Sequence, residues 1–216
     1  MIELLILFAI AAFVLYRLKS VIGTRTGYEA PPERYQQAAE REAEPQLERA
    51  PEPAAEDIDA RHALSDDARE AFAAMRNVEP DFNVETFLGG ARSAYEMILM
   101  AYEEGDRDTL RDLLAPDVFR AFESVIDERE SQGLTVDARF IGVRDLRVES
   151  VAFDPETNEA DVAIRFVGEL ITAVRDSENR IVEGDPNEVR RQTDVWTFSR
   201  VMGAPNPNWL LTATGD

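Results

Sequence analysis

NVETFLGGARSAYEMILMAYEEG, residues 83–105, is the stretch on which the reading of the fold turns. Phe87, Leu88, Ala91, Ala94, Tyr95, Ile98, Leu99 and Tyr102 recur at helical spacing, so one side of a long helix is apolar. Asn83 supplies an N-cap oxygen, and Gly105 can end the helix in the left-handed region, which predicts a helix over Val84–Glu104. Gly89 and Gly90 lie inside this period, and no GxGxxG or GKS accompanies them, so they do not form a phosphate loop. Each glycine costs about 1 kcal/mol against alanine in a helix. The expected compensation is close helix packing, with Gly90 admitting a neighbouring backbone.

Upstream, SDDAREAFAAMRN (65–77) predicts a shorter helix capped by Ser65, with Ala68, Ala71, Phe72 and Met75 on one stripe and Pro80 ending it. Downstream, Asp108–Leu114 predicts a single short helix capped by Asp106 or Asp108. Pro116 then sits in the first turn of a longer helix that stops at Gly133.

Beyond Gly133 the period changes from helical to alternating. Strands are expected at about 136–153, 159–175, 191–201 and 209–214, the first two joined by the turn sequence DPETNE. In VAIRFVGEL, Ile164, Phe166 and Leu170 fall on one face and Arg165 and Glu169 on the other. Helices followed by antiparallel strands give the expected fold class: α+β, with helices packed on one face of a curved four-stranded antiparallel sheet. Such a sheet tends to leave a cavity at its open end.

The segment before this domain has a different character. Apart from Glu3, Met1–Tyr16 is uncharged, and the run ends in Arg17, Lys19 and Arg25. It is at the short end of what spans a hydrocarbon core of roughly 30 Å. Basic residues after the run, and bulky Val14, Leu15 and Tyr16 where a cleavage site needs small ones, mark an uncleaved anchor. Weighing Lys and Arg near the membrane, Arg17, Lys19 and Arg25 form a basic membrane flank that places the following chain in the cytoplasm and the amino terminus outside. Residues 27–64, rich in Pro, Ala, Glu and Gln, read as an acidic disordered linker. Its mean reach is on the order of 40 Å. The expected organisation is an anchor over residues 1–26, a linker over 27–64 and a folded domain over 65–216.

Composition narrows the chemistry. The 216 residues carry 23 Lys and Arg against 43 Asp and Glu, a formal charge of −20, which argues against nucleic acid and against adhesion of the domain to anionic lipid. Without cysteine, thiolate chemistry and Cys-based metal sites are excluded. The single histidine, His62, and the single lysine, Lys19, both precede the expected domain, which therefore lacks the usual general base and a Schiff-base amine. An EF-hand begun at Asp154 would need Gly and Glu where Glu159 and Arg165 stand. No cofactor and no metal is expected.

Over DFNVETFLGGARSAYEMILMAYEEGDRDTLRDLLAPDVFRAFESVIDERESQG (81–133), TDVWTFSR (193–200) and PNWLLTATGD (207–216), the sequence resembles the Tim44 family, named after an adaptor of the mitochondrial presequence translocase. Phe82, Phe87, Leu88, Gly90, Ala91, Ala94, Tyr95, Gly105, Asp106, Leu113, Leu114, Phe122, Asp194, Trp196, Phe198, Pro207, Asn208 and Trp209 carry the likeness in order and spacing. With the anchor and acidic linker it looks like the bacterial, alphaproteobacterial TimA type. The resemblance implies a cone of the nuclear-transport-factor-two class and a non-enzymatic adaptor or scaffold at the cytoplasmic face of the bacterial inner membrane. It also implies protein partners, either a chaperone or subunits of a membrane complex. A structural subunit of an envelope complex, a cavity enzyme and a lipid-binding module of the same fold are the other classes open to it.

Trp196, Phe198 and Trp209 alternate along strands and can face Tyr95 and Phe166. Plain core is one reading of these five residues. The sharper one is the wall of a partner or ligand pocket that receives an acyl chain or an apolar peptide side chain. For proton transfer, Tyr95 with Asp194 is the one pair to nominate.

Overall fold

The computed structural model describes residues 64–215. The anchor predicted over residues 1–26, with its flank Arg17, Lys19 and Arg25, lies outside the described residues, as does all of the linker but Leu64. Among the described residues, no helix is long and apolar enough to cross a membrane.

Four helices come first: α1 (Asp66–Val78), α2 (Val84–Glu104), α3 (Arg107–Leu113) and α4 (Pro116–Ser131). Their ends are set by the expected chemistry. The Ser65 hydroxyl accepts from the Ala68 N–H at 3.1 Å, and the Asn83 side chain accepts from the Thr86 N–H at 2.9 Å. Of the two candidate caps for α3, Asp106 serves, taking the N–H groups of Asp108 and Thr109 and the Thr109 hydroxyl. Gly105 ends α2 at φ +73°, where a side chain would be strained and where its Cβ would crowd Glu130 and Ile126.

The strands are β1 (Thr135–Phe153), β2 (Glu159–Arg175), β3 (Ile181–Gly184), β4 (Arg190–Val201) and β5 (Leu210–Gly215). They form one unclosed antiparallel sheet in the order β1-β2-β4-β5, with β3 paired to the end of β2. Three register shifts in β1, between Phe140 and Gly142, Val143 and Asp145, and Val148 and Ser150, bend this long strand and give the sheet its curvature.

The expected four-stranded sheet is therefore corrected to five strands. Four residues are too few to show an alternating pattern, and IVEG lies between turn-forming DSEN and DPNE segments. It pairs because β2 outruns β4: Ala173, Val174 and Arg175 lie opposite Gly184, Glu183 and Ile181. Gly184 must be glycine, with φ +79° and a would-be Cβ only 2.2 Å from the Thr172 carbonyl oxygen.

The helices cover the face of β2 that carries Val162, Ile164, Phe166 and Leu170, all buried, whereas Arg165 on the other face is exposed. Tyr95 of α2 anchors the centre. Its ring stacks on Phe166 at 4.4 Å between centroids and meets Trp196 at 4.7 Å and Phe140 edge-on at 6.1 Å. Each such pair contributes about 0.5–1.5 kcal/mol beyond the area it buries. The predicted close approach of a backbone at Gly90 is absent: a Cβ there would meet nothing within 4 Å. The tight fit is at Gly168, where a Cβ would stand 2.7 Å from the Tyr95 hydroxyl.

Candidate functional site

Helix α2 has two apolar faces. Leu88, Tyr95 and Ile98 are buried in the core, while Phe87, Gly90, Ala94 and Met97, at helical spacing, look into a surface cleft of about 500 Å³. The volume falls within the range of small-molecule and side-chain pockets. The end of α1 and the following turn supply Glu79, Asp81 and Phe82; α3 supplies Asp112 and Leu113. The opposite wall consists of Phe198 and Arg200 at the end of β4 and Pro207, Asn208 and Trp209 from the loop before β5.

The cleft floor is aromatic. Trp209 lies 4.5 Å from Phe87 and 6.2 Å from Phe82, which in turn neighbours Phe72 at 6.0 Å, so the site is continuous with the core beneath α1. Glycine at position 90 keeps the α2 wall open; any side chain would project into the space.

One buried cation holds the walls together. The Arg200 side chain is only 8% exposed. Its Nη2 donates to Glu79 Oε2, its Nη1 donates to the Pro207 carbonyl at 3.0 Å, and the guanidinium lies over the Trp209 ring at 5.4 Å. Glu79 Oε2 also accepts from the Gly203 N–H at 3.1 Å. The Arg200 hydrogen bond, reinforced by that of Gly203, holds the Glu79 carboxyl below the usual glutamate range despite partial desolvation. Residues 121 apart in sequence thus join α1, β4 and the β4–β5 loop.

The five residues singled out for a pocket divide between two places. Phe198 and Trp209 line the cleft. Tyr95, Phe166 and Trp196 sit behind it in the core, at 0%, 0% and 4% exposure. Tyr95 and Asp194 do meet: the tyrosine hydroxyl donates to Asp194 Oδ2 at 2.5 Å, and Gln192 Nε2 donates to Asp194 Oδ2 at 2.9 Å and to the Tyr95 hydroxyl at 3.2 Å. This network is half-buried and shares no residue with the cleft. Sequence reasoning missed Glu79 and Arg200 as site residues; nothing local marks them, since their pairing exists only once α1 is laid against β4. Phe87 stands out in the sequence as an apolar helix position and a carrier of the family likeness, and Phe82 as the latter alone. Among the described residues, no three potential metal ligands come together.

The Tim44-like domain family matches residues 68–216. The human protein "Mitochondrial import inner membrane translocase subunit TIM44" is 25% identical over 140 residues, covering 64% of this chain and 30% of that protein. TIM44-1 of Arabidopsis thaliana, with the same description, is 20% identical over 147 residues, covering 68% of this chain and 30% of that protein. The chain thus spans a little under a third of the length of these relatives in the matched region. Among solved structures, the intermembrane space region of the chloroplast protein ARC6 aligns with a TM-score of 0.37 at 17% identity, covering 70% of this chain and 97% of that one. With the match running from the third residue of α1 through the last strand, the chain belongs to the Tim44 family.

Proposed function

We propose that this protein is a single-span, non-enzymatic adaptor of the bacterial inner membrane, of the TimA type, that binds protein partners through the cleft beside α2. Residues 1–26 anchor it with the amino terminus in the periplasm, residues 27–64 tether it, and the domain, a cone of the nuclear-transport-factor-two class, works in the cytoplasm. The observation that carries this reading is the aromatic cleft of about 500 Å³, open at the surface between α2 and the β4–β5 loop. An apolar concavity of that size next to a well-packed core suits capture of an apolar side chain or acyl group.

Two further observations support it. The relatives are described as subunits of a mitochondrial inner-membrane import translocase, which suits a membrane-side binding role. The Tyr95 and Asp194 pair, the one arrangement suited to proton transfer, is hydrogen-bonded together with Gln192 and lines no part of this cleft.

The test is capture in living cells. A photoreactive side chain replacing exposed Met97 on the cleft rim should yield one or a few discrete crosslinked protein partners, and the same group replacing Arg165 on the opposite face of the sheet should not. Equal products from both positions would contradict the reading.

A further inference from the structure

The charges around the cleft are unequal, and one of them is held in a particular way. The floor is apolar and aromatic. Around it stand three carboxylates, Glu79, Asp81 and Asp112, and one cation, Arg200. Arg200 and Glu79 neutralise each other by direct hydrogen bonding, and the arginine is buried by Trp209 and the loop carbonyl of Pro207. What remains towards an entering ligand is the negative charge of Asp81 and Asp112, both exposed at the rim.

We infer that Glu79 is the specificity-determining residue of this cleft: by cancelling Arg200 it makes the site accept uncharged or cationic apolar groups and reject anionic ones. Without the carboxylate, an apolar pocket with a buried guanidinium in its wall would be a natural receptor for an anionic amphiphile, because a buried cation attracts an anion strongly in a site of reduced dielectric. With it, the pair is neutral and the rim repels anions. Glu79 also positions the wall, since the same oxygen that takes Arg200 takes the Gly203 N–H of the turn leading to Trp209. The inference rests on the cleft being a binding site and adds the charge of what enters it.

Glu79→Gln separates the two roles. The amide oxygen can still accept from Arg200 and Gly203, so the wall is kept while the negative charge is lost. The full-length chain in phosphatidylcholine nanodiscs, carrying Trp196→Phe so that Trp209 is the reporting fluorophore, is titrated at pH 7.5 with octanoate, octanol and octylamine. Gly90→Leu, which fills the cleft, defines the signal that does not come from it.

The expected result for the unaltered Glu79 is octylamine and octanol bound more tightly than octanoate. Glu79→Gln should raise octanoate affinity about tenfold, the order of effect of one unit charge a few ångströms from the headgroup, and change octanol less than about twofold. Asp81→Asn, whose carboxylate makes no contact with Arg200, should favour octanoate in the same direction by a smaller factor, and it serves if the Glu79 variant fails to fold. Cleft binding in which Glu79→Gln shifts all three probes alike, or none, overturns the inference and leaves the cleft as a binding site. Absence of any Gly90→Leu-sensitive binding overturns both.

Discussion

Gly168→Ala should be among the most damaging one-carbon changes available in this domain. The added Cβ would stand 2.7 Å from the Tyr95 hydroxyl, 2.9 Å from Cε1 and 3.2 Å from Cζ. Relief by a side-chain swing is blocked, because the Tyr95 ring is fully buried, stacked on Phe166 at 4.4 Å and held against Trp196. Overpacking a core by a methyl group costs about 1–3 kcal/mol. Moving the ring also loosens the 2.5 Å bond to Asp194, and hydrogen bonds to charged groups contribute about 1.5–3 kcal/mol. The sum, about 2.5–6 kcal/mol, corresponds in a domain of this size to a melting temperature lower by on the order of 10 °C. Denaturant melts followed by Trp196 fluorescence measure it. A double-mutant cycle with Tyr95→Phe sharpens the test: with the hydroxyl removed, part of the clash and the hydrogen bond are already gone, so the two changes should couple by about 1–2 kcal/mol. A loss below about 1 kcal/mol for Gly168→Ala, or a cycle additive to within about 0.5 kcal/mol, would refute the packing argument.

Other consequences are as direct. Gly90→Ala meets nothing within 4 Å and should stabilise α2 by about 0.5–1 kcal/mol, read as a higher denaturation midpoint with unchanged m-value. Ser65→Ala removes the cap of α1 and should cost about 1 kcal/mol in the same assay. Since the Glu79 carboxyl is held below its ordinary value of 4.5, its contribution to stability is present above that value and lost as pH falls through the lowered one; Glu79→Gln should therefore flatten the acid limb of the stability profile. The effect should be small, because the side chain is about a third exposed. For orientation, a fluorescent reporter active only in the cytoplasm should be bright when fused after Asp216, and a phosphatase active only in the periplasm should be silent there.

Much of the domain was legible because local chemistry and tertiary structure agree. Ser65, Asn83 and Gly105 end helices in the way their types dictate, and the alternation of Ile164, Phe166 and Leu170 places them in the core. What escaped is what depends on juxtaposition. β3 exists because β2 is long enough to extend beyond β4, a fact of strand lengths that the polar sequence around IVEG does not carry. The helical pattern predicts a contact at Gly90 where the structure has an opening: a glycine in a helix signals that a side chain is unwanted, and sequence does not say whether a backbone or a cavity is the reason. The glycine that does meet a neighbour, Gly168, lies in a strand with no distinguishing local pattern. The five aromatic residues expected to line a pocket divide between core and cleft, since α2 is apolar on more than one face and periodicity alone does not separate the two. The Glu79 and Arg200 pair, spanning most of the domain in sequence, was beyond any local signal.

The central claim is that the cleft between α2 and the Trp209 loop is where partners bind. Its most direct test is photocrosslinking in living cells from position 97, compared between the otherwise unaltered chain and one carrying Gly90→Leu, with both proteins shown to be equally abundant and equally stable. Filling the cleft should abolish the discrete crosslinked products by at least tenfold. Products that persist undiminished in the filled chain would contradict the account.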